Sequence, residues 1–280
     1  MAAQFVWLNE DLVPETQARV SVNDRGFLYG DGFFETLRAD SGRVQFLKEH
    51  LERLRSSVRA FGLPFPAKVP WEERLSRLLS ANGLSQGVAR IKILLTRGIA
   101  PGLGLPEDCH PTLVIWAQPY APPSPGEYAL GWPVAVFPEG RSTFLGRHKS
   151  LNYLFYLAAR QYAIDHGAKE AIILEANGLV SEAAAASLVY LLQGEFYTPE
   201  AASALPGVTL EVLRQGLIAR GRTLDSRPTA VRQLREVQGL WLANSLMGLM
   251  PVAAIDGTPL PISGATAFLQ EILTAMANGL

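Results

Sequence analysis

Hydrophobic positions recur at two different periods along the chain, and the period distinguishes predicted helices from predicted strands. In residues 46–61 the apolar side chains return at steps of four and three, which predicts an amphipathic helix that Gly62 and Pro64 end. Its predicted buried face comprises Leu47, Leu51, Leu54, Val58 and Phe61. Further helices are predicted over 71–81, 151–166, 208–220 and 229–237, the third with Leu151, Leu154, Phe155, Ala158 and Tyr162 on one face.

Shorter apolar runs, rich in β-branched and aromatic residues and bounded by turn residues, predict strands. They read VWLNEDLVP (a strand pair), FFETLR, ARIKILLTR, TLVIWAQPY, EAIIL, VSEA, SLVYLL, EFYTP and GLWLANSL. Asn177-Gly178 predicts a hairpin turn, and a glycine-rich turn region, VNDRGFLYGDG, precedes FFETLR. The mixture of helices and strands predicts an α/β or α+β fold.

A proline-rich stretch, APPSPGEYAL, has few core-forming residues. It separates two halves of the chain that differ in the order of their predicted helices and strands. It predicts a smaller N-terminal α/β domain over 1–118, a linker over 119–127 and a larger C-terminal domain over 128–280. A ligand site is expected in the cleft between the domains.

Composition narrows the classes of function. The chain has 280 residues, 48% of them hydrophobic and 18% charged, with a formal net charge of −1. Such a balance predicts a compact protein with no general attraction to nucleic acid or a membrane, so a small molecule is the expected partner. One cysteine and four scattered histidines predict neither a disulfide framework nor a metal site. The N-terminal segment MAAQFVWLNEDLVP has no signal-peptide pattern and no apolar run approaches the ~20 residues of a membrane span, so a cytoplasmic protein is expected.

Lys149 is the first candidate for chemistry. It lies in Arg147-His148-Lys149, three basic residues before a predicted apolar helix, where the positive end of the helix dipole disfavours cations. Such a cluster suggests an anionic partner, or an amine that is partly deprotonated and so usable as a nucleophile or base. The alternative is a solvated lysine, which is the commoner case.

The order of several motifs along the chain resembles the class IV (fold type IV) pyridoxal-phosphate enzymes. The motifs are YGDGFFETLR, HLERL, HKSLNYL, NGLVSEAAAAS, PGVTLEVL and LANSLMGLMPV, and the resemblance extends from about residue 7 to residue 253. The family includes branched-chain and D-amino acid aminotransferases and 4-amino-4-deoxychorismate lyase. The resemblance implies a two-domain, D-amino acid aminotransferase-like fold with its active site at the domain interface. It also implies that 128–280 is the pyridoxal 5'-phosphate-binding domain, and that the protein is a homodimer whose subunits reach into each other's clefts.

The resemblance assigns roles to two residues that carry the chemistry. Lys149 matches the lysine that forms the internal Schiff base and then moves the substrate's proton. Glu182 matches the glutamate that faces the pyridine nitrogen and keeps the ring protonated. For Glu182 the structural alternative is an exposed hairpin glutamate.

Four further residues match positions that bind the cofactor phosphate in the family. Arg53 matches its phosphate-binding arginine, Val208 and Thr209 open a helix after a proline, and Ser245 matches the last phosphate-contacting hydroxyl. The alternatives are a solvated helix face for Arg53 and simple helix capping for Thr209.

Sequence motifs distinguish the subgroups of the family. Arg97-Gly98 resembles D-amino acid aminotransferases, but the second arginine expected there is missing. Branched-chain enzymes usually have Gly-Thr-Ala where this chain has Asn244-Ser245-Leu246. LANSLMGLMPV and GDGFFETLR instead resemble 4-amino-4-deoxychorismate lyase. In that case Lys149 removes a ring proton, pyruvate leaves, and 4-aminobenzoate is released for folate biosynthesis. The alternative is a class IV aminotransferase acting on branched-chain or D-amino acids.

A lyase substrate with two carboxylates requires polar and cationic partners. The candidates for binding it are Arg38, Arg97, Arg147 with its neighbour His148, and Asn244. The chain departs from the family pattern at Ser187, where asparagine is usual, and after Gly98, where many lyases carry a basic residue.

Overall fold

The structure is a computed structural model that describes residues 4–106 and 108–279. Residues 1–3, the start of the segment in which no signal peptide is predicted, lie outside the described residues. The described chain forms two compact units. Unit 1 consists of the described residues up to Pro122 together with Lys149–Asn152, and unit 2 consists of Pro123–His148 and the described residues from Tyr153 onward. The predicted domain ranges remain a prediction, and Lys149–Asn152 belongs to unit 1 although those ranges place it in the second domain.

Unit 1 contains a six-stranded sheet whose neighbouring strands all pair antiparallel, in the order β2-β1-β6-β5-β3-β4. The strands are β1 (Phe5–Leu8), β2 (Asp11–Pro14), β3 (Gly32–Asp40), β4 (Arg43–Val44), β5 (Val88–Ile99) and β6 (His110–Pro119). Burial alternates along β5, so Ile91, Ile93 and Leu95 point into the core while Arg90 and Lys92 point to the other face. The strands predicted in this half are confirmed.

The described residues of unit 1 also form three α-helices, α1 (Arg25–Tyr29), α2 (Leu47–Ala60) and α3 (Trp71–Ala81), and a short 3-10 helix, Glu15–Gln17. The predicted helices at 46–61 and 71–81 are confirmed, and α2 buries Leu54 and Val58 against the sheet. Helix α1 lies where only a glycine-rich turn was predicted. The side chain of Asp24 caps its start, and Gly30, in the left-handed region at φ 67°, ends it.

Unit 2 contains a nine-stranded mixed sheet in the order β12-β11-β10-β13-β14-β7-β8-β9, with β15 paired to β14. The strands are β7 (Trp132–Val136), β8 (Glu170–Leu174), β9 (Val180–Ala183), β10 (Ser187–Leu192), β11 (Glu195–Pro199), β12 (Leu224–Arg227), β13 (Gly239–Asn244), β14 (Gly248–Ile255) and β15 (Thr258–Pro259). The predicted strands EAIIL, VSEA, SLVYLL and EFYTP are confirmed, whereas β7, β12 and β14 were not predicted.

The helices of unit 2 are α4 (Pro125–Leu130), α5 (Leu154–Asp165), α6 (Val208–Ile218), α7 (Val231–Leu234) and α8 (Ala265–Ala277). Helix α4 begins inside the segment predicted as a linker, because Ser124 and Glu127 form a capping box around Pro125. No helix within residues 4–106 and 108–279 is long and apolar enough to cross a membrane.

The predicted helix over 151–166 is corrected at its start and at its buried face. Helix α5 begins at Leu154, which is 78% exposed, and it buries Ala159 and Ala163. Of the predicted face, Phe155 and Tyr162 do pack against this cluster, partly buried. Small side chains let the helix approach the sheet closely, and Ala159 and Ala163 pack there with Phe137. The residues before α5 pair with a strand of unit 1.

Candidate active site

The segment Lys149–Asn152, called the lysine segment below, is extended and pairs with the start of β3. The amide of Phe34 donates to the carbonyl of Lys149 at 2.9 Å, and the amide of Leu151 donates to the carbonyl of Gly32 at 3.0 Å. A Cβ at Gly32 would lie 2.7 Å from a carbonyl oxygen of β5 and 2.9 Å from Leu151 Cδ1, so glycine permits the close approach. Lys149 is therefore held by a strand, and the prediction that it opens an apolar helix is wrong.

The amine of Lys149 lies over an aromatic ring in unit 1. Its Nζ is 4.8 Å from the centroid of the Phe34 ring, and Nζ of Lys92 is 4.5 Å from the same centroid. Lys149 is half-buried, so it is not a fully solvated lysine. Burial, with a smaller contribution from Arg90, lowers the pKa of Lys92. Lys92 was not predicted as a site residue, because its only sequence signal is a lysine on the polar face of a strand.

A buried ionic cluster in the same unit joins β3 to α2. Arg53 donates from Nε to Glu35 Oε1 at 2.8 Å and from Nη2 to Oε2 at 2.5 Å, and His50 Nδ1 lies 2.7 Å from Oε2. Burial opposes ionisation of Glu35, but the charge and hydrogen bonds of Arg53 and the hydrogen bond from His50 outweigh it and lower its pKa to about 2. Burial lowers the pKa of His50 despite Glu35, with Arg53 and Lys149 adding to the effect. We therefore assign a neutral His50 that donates its Nδ1 proton to an ionised Glu35.

The burial of Arg53 excludes one of its two interpretations, a solvated helix face, and leaves the other, phosphate binding, as a prediction. Its side chain is only 10% exposed, whereas the neighbouring helix arginine Arg55 is 55% exposed, so a solvated helix face is wrong for Arg53. Its bidentate pair with Glu35 fixes the guanidinium plane. A role in binding phosphate stays a prediction.

Glu182 lies in β9 of unit 2 and is buried, so the alternative of an exposed hairpin glutamate is wrong. Its Oε1 accepts a 2.6 Å hydrogen bond from the Tyr156 hydroxyl, and its Oε2 accepts a 3.1 Å bond from the amide of Leu205. Nη2 of Arg141 donates to the Tyr156 hydroxyl in turn. Burial and the adjacent Glu182 raise the pKa of Tyr156, so it remains a protonated donor. Tyr156 and Arg141 were not predicted as site residues, since these partners are brought together only by the fold.

The start of α6 has the properties of an anion site. Gly207 is its N-cap residue and makes no side-chain cap bond to the first amides of the helix. Thr209 is buried, and its Oγ1 has no hydrogen-bond partner among the described residues. Thr209 therefore does not cap the helix, and that alternative is wrong. A Cβ at position 207 would lie 2.4 Å from Ser187 Oγ, so a larger residue there requires the serine hydroxyl to move.

Arg97, a candidate for substrate binding, is committed to the interior of unit 1. Its side chain is fully buried, and Nε donates to Asp31 at 2.8 Å. The other guanidinium nitrogens donate to the carbonyls of Phe61, Gly62 and Pro106. The expectation that Arg97 binds substrate is therefore corrected: the guanidinium bonds to the protein itself, because these carbonyls surround it.

Asn244 is likewise occupied by the protein's own backbone. Its Oδ1 accepts from the amides of Leu246 and Met247, and its Nδ2 donates to the carbonyl of Ala185 at 3.0 Å. Asn244 therefore shapes the turn between β13 and β14 that carries Ser245, and its contact with substrate stays a prediction.

The remaining cationic candidates differ in their surroundings. Arg38, in β3, pairs with Asp40 at 2.9 Å and is partly buried. Arg147 is exposed and belongs to unit 2, and burial together with Arg147 lowers the pKa of the half-buried His148. Their roles in binding substrate stay predictions.

Comparison with known proteins identifies the class. Residues 32–255 match the family described as amino-transferase class IV. A protein of Methanocaldococcus jannaschii proposed to be a branched-chain-amino-acid aminotransferase is 33% identical over 257 residues, which cover 90% of this chain and 88% of that protein. A D-alanine aminotransferase of Staphylococcus epidermidis is 29% identical, with 90% of this chain and 89% of that enzyme covered.

Solved structures agree on the fold. The branched-chain aminotransferase of Thermoproteus uzoniensis with norvaline superposes with a TM-score of 0.88 and 25% identity, covering 99% of this chain and 95% of that one. A protein of Legionella pneumophila proposed to be a 4-amino-4-deoxychorismate lyase superposes with a TM-score of 0.84 and 24% identity, covering 95% and 97%. The chain belongs to the class IV aminotransferase family, and its cofactor is pyridoxal 5'-phosphate.

The residues present fit this cofactor. A buried hydroxyl without a partner among the described residues, in the first turn of α6, suits a phosphate group. A buried carboxylate that accepts from Tyr156 and from the amide of Leu205, as at Glu182, suits a protonated ring nitrogen. The predicted fold type IV architecture and the predicted cofactor are both confirmed.

Proposed function

We propose that this protein is a 4-amino-4-deoxychorismate lyase that releases pyruvate and 4-aminobenzoate for folate biosynthesis. In this proposal Lys149 binds the cofactor and then carries the proton that leaves the substrate ring. The bound pyridoxal phosphate supplies an electron sink through its protonated ring. Because aromatisation of the substrate drives the reaction, a single substrate suffices.

The roles of the protein's own groups follow from their surroundings. Glu182, held by Tyr156 and the amide of Leu205, presents a carboxylate of fixed orientation to the ring nitrogen. Val208 supplies a backbone amide to the phosphate and Thr209 supplies a hydroxyl. Ser245 and Arg53 are proposed to bind the phosphate as well.

Cationic side chains are proposed to hold the two substrate carboxylates. Arg38 and Arg147 remain candidates, and Lys92 joins them because its amine lies over the same ring as that of Lys149. Arg97 is left out because it is fully buried and its guanidinium donates within the protein, whereas Asn244 remains a candidate.

The observation that carries the lyase proposal is the turn closed by Asn244. This side chain makes three hydrogen bonds that shape the turn bearing Ser245. The Gly-Thr-Ala usual in branched-chain enzymes has no amide side chain at the first position and cannot make these bonds. The asparagine side chain at the first position of this turn therefore supports the lyase motif over the branched-chain motif.

A class IV aminotransferase acting on branched-chain or D-amino acids is the second candidate. The names of the relatives from M. jannaschii and S. epidermidis support it. An aminotransferase must bind a second keto acid, whereas the lyase needs no second substrate.

The two functions are separated by supplying one substrate at a time. Purified protein with aminodeoxychorismate alone is expected to release equimolar pyruvate and 4-aminobenzoate. A branched-chain or D-amino acid with 2-oxoglutarate is expected to give little glutamate. Rapid glutamate formation without any 4-aminobenzoate would overturn the lyase proposal in favour of the aminotransferase.

The role of Lys149 has a separate test with a matched control. Lys149→Ala is expected to abolish turnover and the visible absorbance band that borohydride removes from the wild type. Lys48→Ala, at an exposed lysine of α2, is expected to retain both. A Lys149→Ala protein that kept full turnover would exclude the proposed role.

We also propose that the protein is a homodimer. Large exposed apolar side chains occur on α1, at the end of β5 and on the loop that follows it: Phe27, Leu28, Tyr29, Ile99, Leu103 and Leu105. Arg25 joins the two segments by donating to the carbonyls of Gly102 and Gly104, both at 2.7 Å. Exposed apolar patches of this kind support an interface with a second copy.

Sedimentation velocity tests the dimer. The wild type is expected to sediment as a dimer, and Leu103→Glu is expected to shift it towards monomer. Leu130→Glu, at a residue of α4 that is 75% exposed, serves as the control and is expected to leave the dimer intact. A monomeric wild type would contradict the proposal.

A further inference from the structure

Glu175, directly after β8, is a buried carboxylate at the centre of four hydrogen bonds in unit 2. Its Oε2 accepts from the hydroxyls of Ser142, at 2.6 Å, and Ser203, at 3.0 Å. Its Oε1 accepts from the amide of Ser203 at 2.9 Å and from the hydroxyl of Ser181 at 3.3 Å. Burial opposes its ionisation, but the bonds from Ser142 and Ser203 outweigh this and lower the pKa of Glu175.

Ser142 and Ser203 lie on two different loops. Each loop also contains a residue that supports Glu182. Ser142 follows Arg141, which donates to the Tyr156 hydroxyl, the donor to Glu182 Oε1. Ser203 precedes Leu205, whose amide donates to Glu182 Oε2. One oxygen of Glu182 is thus held by Tyr156, whose own partner Arg141 is next to Ser142 in the chain. The other oxygen is held by the amide of Leu205, two residues after Ser203.

The two loops are also bonded directly to each other. The amide of Thr143 donates to Ser203 Oγ at 2.9 Å, so this hydroxyl accepts from one loop and donates to Glu175. Gly146 approaches the carbonyl of Ser203 so closely that a Cβ there would clash. The conformation of either loop therefore depends on the other and on the carboxylate between them.

We propose that Glu175 is a positioning residue that orients Glu182 through these two loops, a role that rests on the proposed function of Glu182. An ionised carboxylate accepts all four bonds at once, whereas an amide offers one acceptor oxygen in place of two. Loss of the carboxylate releases both loops together, and Glu182 then loses the fixed geometry of both its donors. Ser181 contacts Glu175 but belongs to neither loop.

Hydrogen exchange on the full-length protein, with and without cofactor, tests the positioning role directly. In Glu175→Gln the amides of Thr143 and Leu205 are expected to exchange about tenfold faster, since each loses a local restraint. Ser181→Ala is the matched control and is expected to leave both rates unchanged. Equal exchange of these amides in Glu175→Gln and wild type would overturn the proposal.

A second readout follows the bound cofactor. Glu175→Gln is expected to shift the pH midpoint of the cofactor's visible absorbance and to lower kcat with little change in KM, because Glu182 is misoriented. A lower melting temperature with an unchanged absorbance midpoint would indicate a merely structural role. Should Glu175→Gln fail to fold, Ser142→Ala removes one donor to Glu175 and leaves the Thr143–Ser203 bond in place. It is expected to speed exchange at Thr143, and an unchanged rate would overturn the proposal.

The two proposals fail in different ways. If the wild type binds no pyridoxal phosphate, the proposed role of Glu182 fails, while the exchange rates of the cofactor-free protein still decide whether Glu175 restrains the loops.

Discussion

The Tyr156 hydroxyl donates a 2.6 Å hydrogen bond to Glu182 Oε1, and the raised pKa of Tyr156 keeps that donor protonated throughout the working pH range. A tyrosine in this state stabilises the ionised form of its carboxylate partner. Burial around the pair strengthens the bond, since little water competes for either group. The orientation of Glu182 therefore depends on a side chain 26 residues away in the sequence.

Tyr156→Phe tests this dependence. Removal of one hydrogen bond to a buried carboxylate is expected to lower kcat by about tenfold to a hundredfold, corresponding to roughly 1.5–3 kcal/mol. Steady-state kinetics with the accepted substrate provide the measurement. Tyr162→Phe, in the same helix, is the control and is expected to be nearly neutral; equal effects of the two substitutions would contradict the prediction.

Thr209→Val is expected to act in opposite directions on stability and on cofactor binding. A buried hydroxyl without a partner costs free energy, so a methyl group there is expected to stabilise the cofactor-free protein by about 1 kcal/mol in urea unfolding. Cofactor affinity, measured by equilibrium dialysis, is expected to fall about tenfold because a phosphate donor is lost.

Thr198→Val is the matched control for that substitution. Thr198 is equally buried, but its hydroxyl donates to the carbonyl of Leu188 at 2.8 Å. The control is expected to destabilise the protein by about 1 kcal/mol and to leave cofactor affinity unchanged. If Thr209→Val destabilised the cofactor-free protein as Thr198→Val does, the hydroxyl would have a partner and the phosphate assignment would lose its support.

Gly207 and Ser187 are expected to be energetically coupled. Gly207→Ala places a Cβ against Ser187 Oγ and should lower both stability and cofactor affinity, although the backbone at φ −68° accepts alanine. Ser187→Ala removes the clashing atom, so the double variant should recover most of the loss. A double-mutant cycle by urea unfolding is expected to give a coupling of at least about 1 kcal/mol; additive effects would refute it.

The stability of unit 1 is expected to depend on pH through Glu35. A carboxyl whose pKa is lowered from 4.5 to about 2 stabilises the folded state above pH 4.5, and this contribution is lost as the pH falls towards 2. This pKa shift corresponds to a contribution of about 3 kcal/mol to the free energy of unfolding. Glu35→Gln should therefore be less stable than wild type at pH 6, and the difference should shrink as the pH is lowered.

Urea unfolding from pH 6 to pH 2.5 measures this effect. Glu52→Gln, at an exposed carboxyl of α2 that pairs with Arg55, is expected to differ little from wild type at any pH. A stability gap for Glu35→Gln that stays constant over the whole range would show that Glu35 does not titrate as expected.

Elements with a strong local period were predictable from sequence. Helix α3 and strands β10 and β11 have the predicted bounds, because the apolar stripe of a helix and the turn residues around a strand are encoded within a few neighbouring positions. Helix α5 was misplaced for the same reason: its buried alanines carry little hydrophobic signal, while its exposed leucines carry much.

The sequence by itself determined the order of the motifs, and with it the family, the cofactor and the lysine on which the proposed chemistry depends. The tertiary structure alone decided which polar groups are available to a ligand. Arg97 and Asn244 bond to the protein's own backbone, whereas the amine of Lys92 lies over the ring that also contacts Lys149. Sequence cannot distinguish these cases, because the burial and partners of a polar side chain are set by residues far away in the chain.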